Sequence, residues 1–394
     1  MSGGAGGVGG AGGVGGVSGS VGGAGAADGA EVGRADARGD APGRVVVVGD
    51  ALIDEFRDVD GGADFVGGAG LNVAVGLRML GVPTSLVAMV GADHDGDVIR
   101  QYLARYDVAL LETVGESGTS RAVSDRTDGE PRYIFNEAAQ RRSLSFDTVS
   151  RAALAEAALV VVSCFPFDNQ QQADALFGAV GGGGGGWADG GAEAGGGAGD
   201  VVGDAIGDAA AAVAGPAARR LVLDPNPRGG MLSDRDEFVR NFERLAATSL
   251  VTKIGDEDCE LLYGEPLDTV VERLLRGGAT SVLATAGRSG AGIRTARGLR
   301  VDVPIAALDG PVIDTMGAGD ATLASTAASL FELAVGASAA GGAFAVGASA
   351  AGRAFAGEAP AVPASEESWL ELLERAMLIA AATCRSRGAL LRLP

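Results

Sequence analysis

The sequence predicts an α/β fold: a mostly parallel central sheet flanked by helices, with a small β-lid. Short apolar runs closed by glycine recur along the chain, as expected of strands buried on both faces. Amphipathic stretches lie between them, which argues for parallel strands joined by helical crossovers. Two further stretches alternate polar and apolar residues around Asp-Gly turns, the signature of hairpins outside the main sheet.

The first strand is expected over 45–48, four valines ended by Gly49-Asp50. A helix over 71–80 and a strand over 86–90 closed by Gly91 follow. Helix and strand then alternate through 98–106, 159–163, 170–177, 221–223, 238–245, 271–275 and 281–285. The lid is expected as antiparallel strands within 55–66 and 119–137, turning at Asp60-Gly61-Gly62 and at Asp128-Gly129.

Composition sets the boundaries. The 67 glycines concentrate in runs that lack a hydrophobic period. Such runs bury too little apolar surface to offset the entropy of ordering them. Residues 1–43 therefore read as a disordered Gly/Ala-rich tail, and 181–215 as a disordered insertion within a domain spanning 44–394. Residues 334–357 hold a duplicated Ala/Gly segment and read as a surface loop. The net charge of −20 removes the basic face that nucleic acid or an anionic membrane requires. Three cysteines without a CxxC pair, and a single histidine, leave no zinc cluster. No apolar run is long enough to span a bilayer and no leader pattern is visible, so the expected location is the cytoplasm.

The chemistry concentrates in 314–320, DTMGAGD, which leads into a strong helix former over 321–333. Glycines at a helix start expose free N–H groups to an anion, and Asp320 falls in the first turn beside them. A carboxylate there can take a proton from an attacking hydroxyl. Read alone, the segment fits equally an Asp satisfying a helix N-terminus beside a Gly turn. A Walker A loop is absent, because the chain's single lysine, Lys253, stands in VTKIG.

Further segments occur with DTMGAGD in a recognisable order. They are GDALID (49–54), GGAGLNVA (67–74), VGAD (90–93), LDPNPR (223–228), TAGRSG (285–290) and RGA (387–389). Together they resemble the ribokinase-like (PfkB) carbohydrate kinases, with fructokinase-like members nearest in motif. The resemblance covers 44–394 outside the Gly-rich insertions. It implies an ATP-dependent sugar kinase with Asp320 as base and with Gly317, Ala318 and Gly319 as the anion hole. Asp54, Gly67, Gly68 and Asn72 would bind the sugar. Thr285, Gly287, Gly290 and Gly319 would bind the nucleotide. Asp314 would belong to a monovalent-cation site and Asp258 would place magnesium through water. ATP, Mg2+ and K+ are the implied cofactors, and a homodimer through the lid is an implied assembly.

Fructose is the first expectation for the acceptor. Ribokinase, 2-keto-3-deoxygluconate kinase and nucleoside kinase activities are alternatives, as is a sugar- or nucleotide-sensing regulator without turnover. The sequence departs from the family at Gly255, where Asn or Ser is usual, and at Asp258, where Glu is usual. Lys253 reads as a helix-flanking surface charge, Asp224 as a turn residue with Pro225 and Asn226, and His94 as a solvated loop residue. Arg121 and Arg132 are lid cations available to a substrate anion.

Overall fold

The computed structural model describes residues 43–58, 61–125, 132–181, 220–341 and 362–394. The expected tail (apart from Gly43), the Asp128-Gly129 turn and nearly all of the 181–215 insertion lie outside the described residues.

The main sheet has nine strands. In chain order they are β1 (Val45–Gly49), β4 (Thr84–Gly91), β5 (Ala109–Gly115), β8 (Leu159–Ser163), β9 (Leu221–Asp224), β10 (Val251–Gly255), β11 (Ser281–Thr285), β12 (Ala291–Thr295) and β13 (Arg300–Val303). Their spatial order is β13-β12-β11-β10-β9-β8-β1-β4-β5. The strands from β5 to β11 pair in parallel, and β12 and β13 add an antiparallel edge. The expected alternation is thus observed.

The period of two explains why the valine runs are continuous. Val45 and Val47 pack into one core and Val46 and Val48 into another, on opposite faces. Leu159 and Val161 go with the first face, Val160 and Val162 with the second. The first face is covered by α1 (Ala69–Met79), α9 (Ala318–Gly341) and α10 (Glu366–Thr383), with α2 (His94–Arg105) at the β4–β5 side. The second is covered by α4 (Thr148–Glu156), α5 (Gln170–Val180), α6 (Arg235–Ala246), α7 (Asp256–Tyr263) and α8 (Leu267–Arg276). Among the described residues no helix is long and apolar enough to cross a membrane.

The lid is a second sheet ordered β3-β2-β6-β7, from β2 (Leu52–Asp58), β3 (Gly61–Gly67), β6 (Arg121–Asp125) and β7 (Arg132–Phe135). Each hairpin is antiparallel as expected, but β2 and β6 pair in parallel, with Ile53 opposite Arg121. A short helix, α3 (Glu137–Gln140), follows β7. Leu52, Ala69, Ala122, Phe135, Ala139, Cys164 and Met231 form a small apolar cluster that fastens the lid to the body.

The structure alters three expectations. β10 was hidden because Thr252 and Lys253 interrupt its apolar run, yet all five of its residues are buried. The helix expected over 321–333 extends to Gly341 and takes in the start of the segment assigned to a loop. There, the helix propensity of a run rich in alanine outweighs the cost of single glycines. His94 is the exposed first residue of α2, whose N-cap is Asp93.

One close approach fixes the site. The start of α1 lies against the end of β1, so a Cβ on Gly70 would come within 2.8 Å of the Gly49 backbone and 2.9 Å of the Asp50 nitrogen. Replacing Gly70 by alanine is expected to destabilise the protein by about 1–3 kcal/mol through overpacking. Denaturant unfolding of Gly70→Ala measures it, and an unchanged midpoint would mean that the two elements separate freely.

Candidate active site

The site lies at the carboxyl ends of the parallel strands, where open α/β sheets bind ligands. β1 delivers Asp50, α1 delivers Asn72, β9 delivers Asp224 and Asn226, β10 delivers Lys253, and the first turn of α9 is Ala318-Gly319-Asp320.

Asp320 is 6% exposed. One carboxylate oxygen accepts from Asn72 Nδ2 at 2.9 Å, the other from Asn226 Nδ2 at 3.3 Å. Burial raises its pKa above the ordinary carboxylate value, while the Asn72 bond, Arg228 and Lys253 pull it back. A carboxyl group so placed is oriented on both oxygens, and a raised pKa strengthens it as a proton acceptor. Asn72, expected among the sugar ligands, thus holds Asp320, and Asn226 is a partner the sequence reading did not assign.

Gly317 precedes this turn with φ +78°, a left-handed conformation natural to glycine. A Cβ there would lie 2.3 Å from the Ala389 oxygen. The turn at 387–389 therefore packs directly behind the glycines. Asp314 ties the two together, accepting from Met316 N at 3.0 Å and from Gly388 N at 3.1 Å. No lysine or arginine pairs with Asp314 among the described residues, so its charge is balanced only by these backbone dipoles.

Lys253 and Asp224 correct the expectations made for them. Lys253 is not a surface charge. Its side chain is 6% exposed, and Nζ lies 3.0 and 3.1 Å from the two oxygens of a fully buried Asp224. Burial opposes the ammonium, but Asp224, Asp258 and Asp320 outweigh it and hold the lysine above its ordinary pKa. Asp224 is this lysine's counter-ion rather than a turn residue.

Asp258 caps α7 by accepting from Gly255 N at 2.8 Å. A Cβ on Gly255 would meet Asp258 Oδ2 at 3.2 Å and Thr285 Oγ1 at 3.3 Å, so glycine and the shorter acid fit together here. Burial, offset by Lys253, pushes the Asp258 pKa up to about 6. Among the described residues no three His, Cys, Asp or Glu side chains gather to hold a metal. Thr285 ends β11 beside this cap, and Gly287 (φ 48°) and Gly290 (φ 96°) shape the turn after it.

Asp54 lies on β2 at the lid's base with its carboxylate against Gly67, where a Cβ would come 2.2 Å from Oδ2. Gly68 is the N-cap of α1. Burial, with Asp50 and Asp320 nearby, pushes the Asp54 pKa up to about 7 against the pull of Arg228. Arg228 is exposed, forms no ion pair among the described residues, and is surrounded by Asp320, Asp50 and Asp54. It is a second residue that the sequence quoted without a role. Arg121 is taken up elsewhere: its guanidinium, on β6, bonds Asp95 of α2 at 2.5 Å, Glu55 of β2 at 2.9 Å and Asp64 of β3 at 2.7 Å, latching three lid strands to α2. Arg132 lies on β7.

Comparison with known proteins agrees with this architecture. Residues 43–174 match the family described as pfkB family carbohydrate kinase. A fructokinase of Rhizobium leguminosarum bv. trifolii is 27% identical over 296 residues, covering 73% of this chain and 79% of its own. The structure of a fructokinase with bound ATP from Xylella fastidiosa superposes with a TM-score of 0.61 at 19% identity, covering 88% of this chain and 94% of that one. A ribokinase of Arabidopsis thaliana complexed with ribose and ATP gives 0.58 at 20% identity, covering 89% and 95%.

Asp54 makes stability depend on pH in a definite direction. Below about pH 4 the carboxyl is protonated in both folded and unfolded chains, and it contributes nothing to pH dependence. Between the ordinary value of 3.8 and about 7 the folded protein keeps a proton that the unfolded chain loses, so stability falls as pH rises. Asp54→Asn removes the ionisation. It is expected to melt higher than the parent at about pH 8, with a difference that shrinks towards about pH 4. A difference of the same size at both pH values would contradict this reading of Asp54.

Proposed function

Because this chain carries a pfkB family carbohydrate kinase domain, and is therefore a phosphotransferase acting on sugar hydroxyls, we propose that it moves the γ-phosphate of ATP to a hydroxymethyl group of fructose. The observation that carries the chemistry is Asp320, in the first turn of α9 and held through both oxygens by Asn72 and Asn226.

In this reading Asp320 takes the proton of the sugar hydroxyl as that oxygen attacks the γ-phosphorus. The bond to the β,γ-bridging oxygen breaks and ADP leaves. The N–H groups at Gly317 and Gly319, with that of Ala318 once it leaves the Thr315 oxygen it bonds at 3.2 Å, receive the charge that grows on the transferring group. Arg228, which forms no ion pair among the described residues, is the cation that joins these acids at the site. Asp54 accepts a sugar hydroxyl at the lid, and the turn at Thr285, Gly287 and Gly290 takes the nucleotide.

Magnesium is expected on the phosphates of ATP rather than on a protein cluster, since the ion keeps several waters and needs few carboxylates. Potassium at Asp314 is supported by a carboxylate that pairs with no lysine or arginine among the described residues. Fructose is preferred over ribose, 2-keto-3-deoxygluconate or a nucleoside on the resemblance of GDALID and LDPNPR to fructokinase-like members and on the 27% identical relative. A regulator without turnover is disfavoured by the presence of both Asp320 and the glycine turn that precedes it.

The test is ADP release from ATP, magnesium and a panel of these acceptors. Fructose is expected to give the highest kcat/KM, and another acceptor ahead of it would move the assignment. Asp320→Asn is expected to lower kcat by about 10²–10⁴ with ATP binding retained, and turnover near that of the parent would remove Asp320 as base.

A further inference from the structure

Lysine is nearly absent from this protein: of 31 lysines and arginines, Lys253 is the only lysine. Arginine serves wherever else a strong cation is used, including the latch at Arg121 and the site at Arg228. A composition that excludes lysine elsewhere and keeps it at one buried point indicates that this point needs an ammonium.

The geometry supplies the reason. Lys253 Nζ and Cε lie 3.6 and 3.7 Å from where a Cβ on Gly319 would stand, so the ammonium sits directly beneath the first turn of α9. On its other side it meets both oxygens of Asp224, which has no exposed surface. A guanidinium is a larger, planar fork that delivers its donors from several atoms, whereas an ammonium is a compact charge. Between Asp224 and Gly319 the ammonium meets both at once through a single nitrogen.

We propose that Lys253 is a positioning residue for phosphoryl transfer, holding a fixed positive charge behind Gly319 so that an anionic phosphoryl group can settle at a turn bordered by Asp224, Asp258 and Asp320. The proposal rests on the kinase reading above. Without this charge, Asp224, Asp258 and Asp320 would border the incoming phosphate with only Arg228 and the helix dipole to offset them. Lys253 also fixes Asp224 two residues before Asn226, whose side chain bonds Asp320. The competing role is purely structural, an ion pair joining the adjacent strands β9 and β10.

A single lysine makes the distinction measurable. In protein labelled with 15N at the lysine side chain, one ammonium resonance reports Lys253 alone. It is expected to shift on adding a non-hydrolysable ATP analogue with magnesium, and to shift much less with ADP and magnesium, which lack the γ-phosphate. Equal responses to both, or no response to either while kinetics show that both bind, would overturn the proposal.

The second arm uses Lys253→Met/Asp224→Asn, which replaces the pair with neutral groups so that neither member of it is left as a lone buried charge. Its melting temperature is expected to return towards the parent's from that of Lys253→Met, with kcat still at least ~10²-fold down, the scale of losing one fixed electrostatic group in a phosphate site. Recovery of kcat together with melting temperature would make the pair structural only. Absence of turnover by the parent on every acceptor would instead count against the kinase reading, which the parent assay tests separately.

Discussion

Five aspartates, Asp50, Asp54, Asp224, Asp258 and Asp320, are brought to the carboxyl end of one sheet, and the structure depends on how that negative charge is held. Ionised carboxylates out of water are costly unless paired or hydrogen-bonded. Each has a different answer. Asp224 takes Lys253, and Asp258 takes the N–H of Gly255. Asp50 takes the N–H of Gly70, and Asp320 takes two carboxamides. Asp54 has Arg228 nearby and a pKa pushed up to about 7. Asp54 and Asp320 are the two assigned to meet the sugar.

The fold makes this arrangement from simple parts. Valine runs buried on both faces set a parallel core, and residues at or just after β1, β9 and β10 meet the start of α9 at its carboxyl end. The approach of Gly70 to Gly49 brings α1 close enough for Asn72 to cross 248 residues of sequence and bond Asp320. The lid stands on the same framework, joined to it by a small apolar cluster and by the Arg121 ion pairs.

Much of this was legible in the sequence, for physical reasons that can be named. The strands at 45–48, 159–163 and 281–285 were visible because a doubly buried strand must be apolar throughout. DTMGAGD was visible because a glycine turn before a helix has few other uses, and the order of its companion segments supported it. What stayed hidden involved polar residues that are buried only because another residue answers them. Thr252 and Lys253 disguised β10 as a loop, and nothing local signals that Asp224 waits for that lysine. Asn226 looked like a turn residue for the same reason, since its bond to Asp320 spans 94 residues. Lys253's rarity was the one available signal, and composition alone favoured a compositional explanation over a functional one. The antiparallel edge of β12 and β13, carrying arginines and an aspartate, gave no apolar run to read.

The clasp between Asp314 and Gly388 joins residues 74 apart, and the backbone at Ala389 is what Gly317 rests against. In the order of synthesis Asp54, Asn72, Lys253 and Asp320 all precede the segment at 387–389. The turn at Gly317 can therefore take its final form only after that segment has been added.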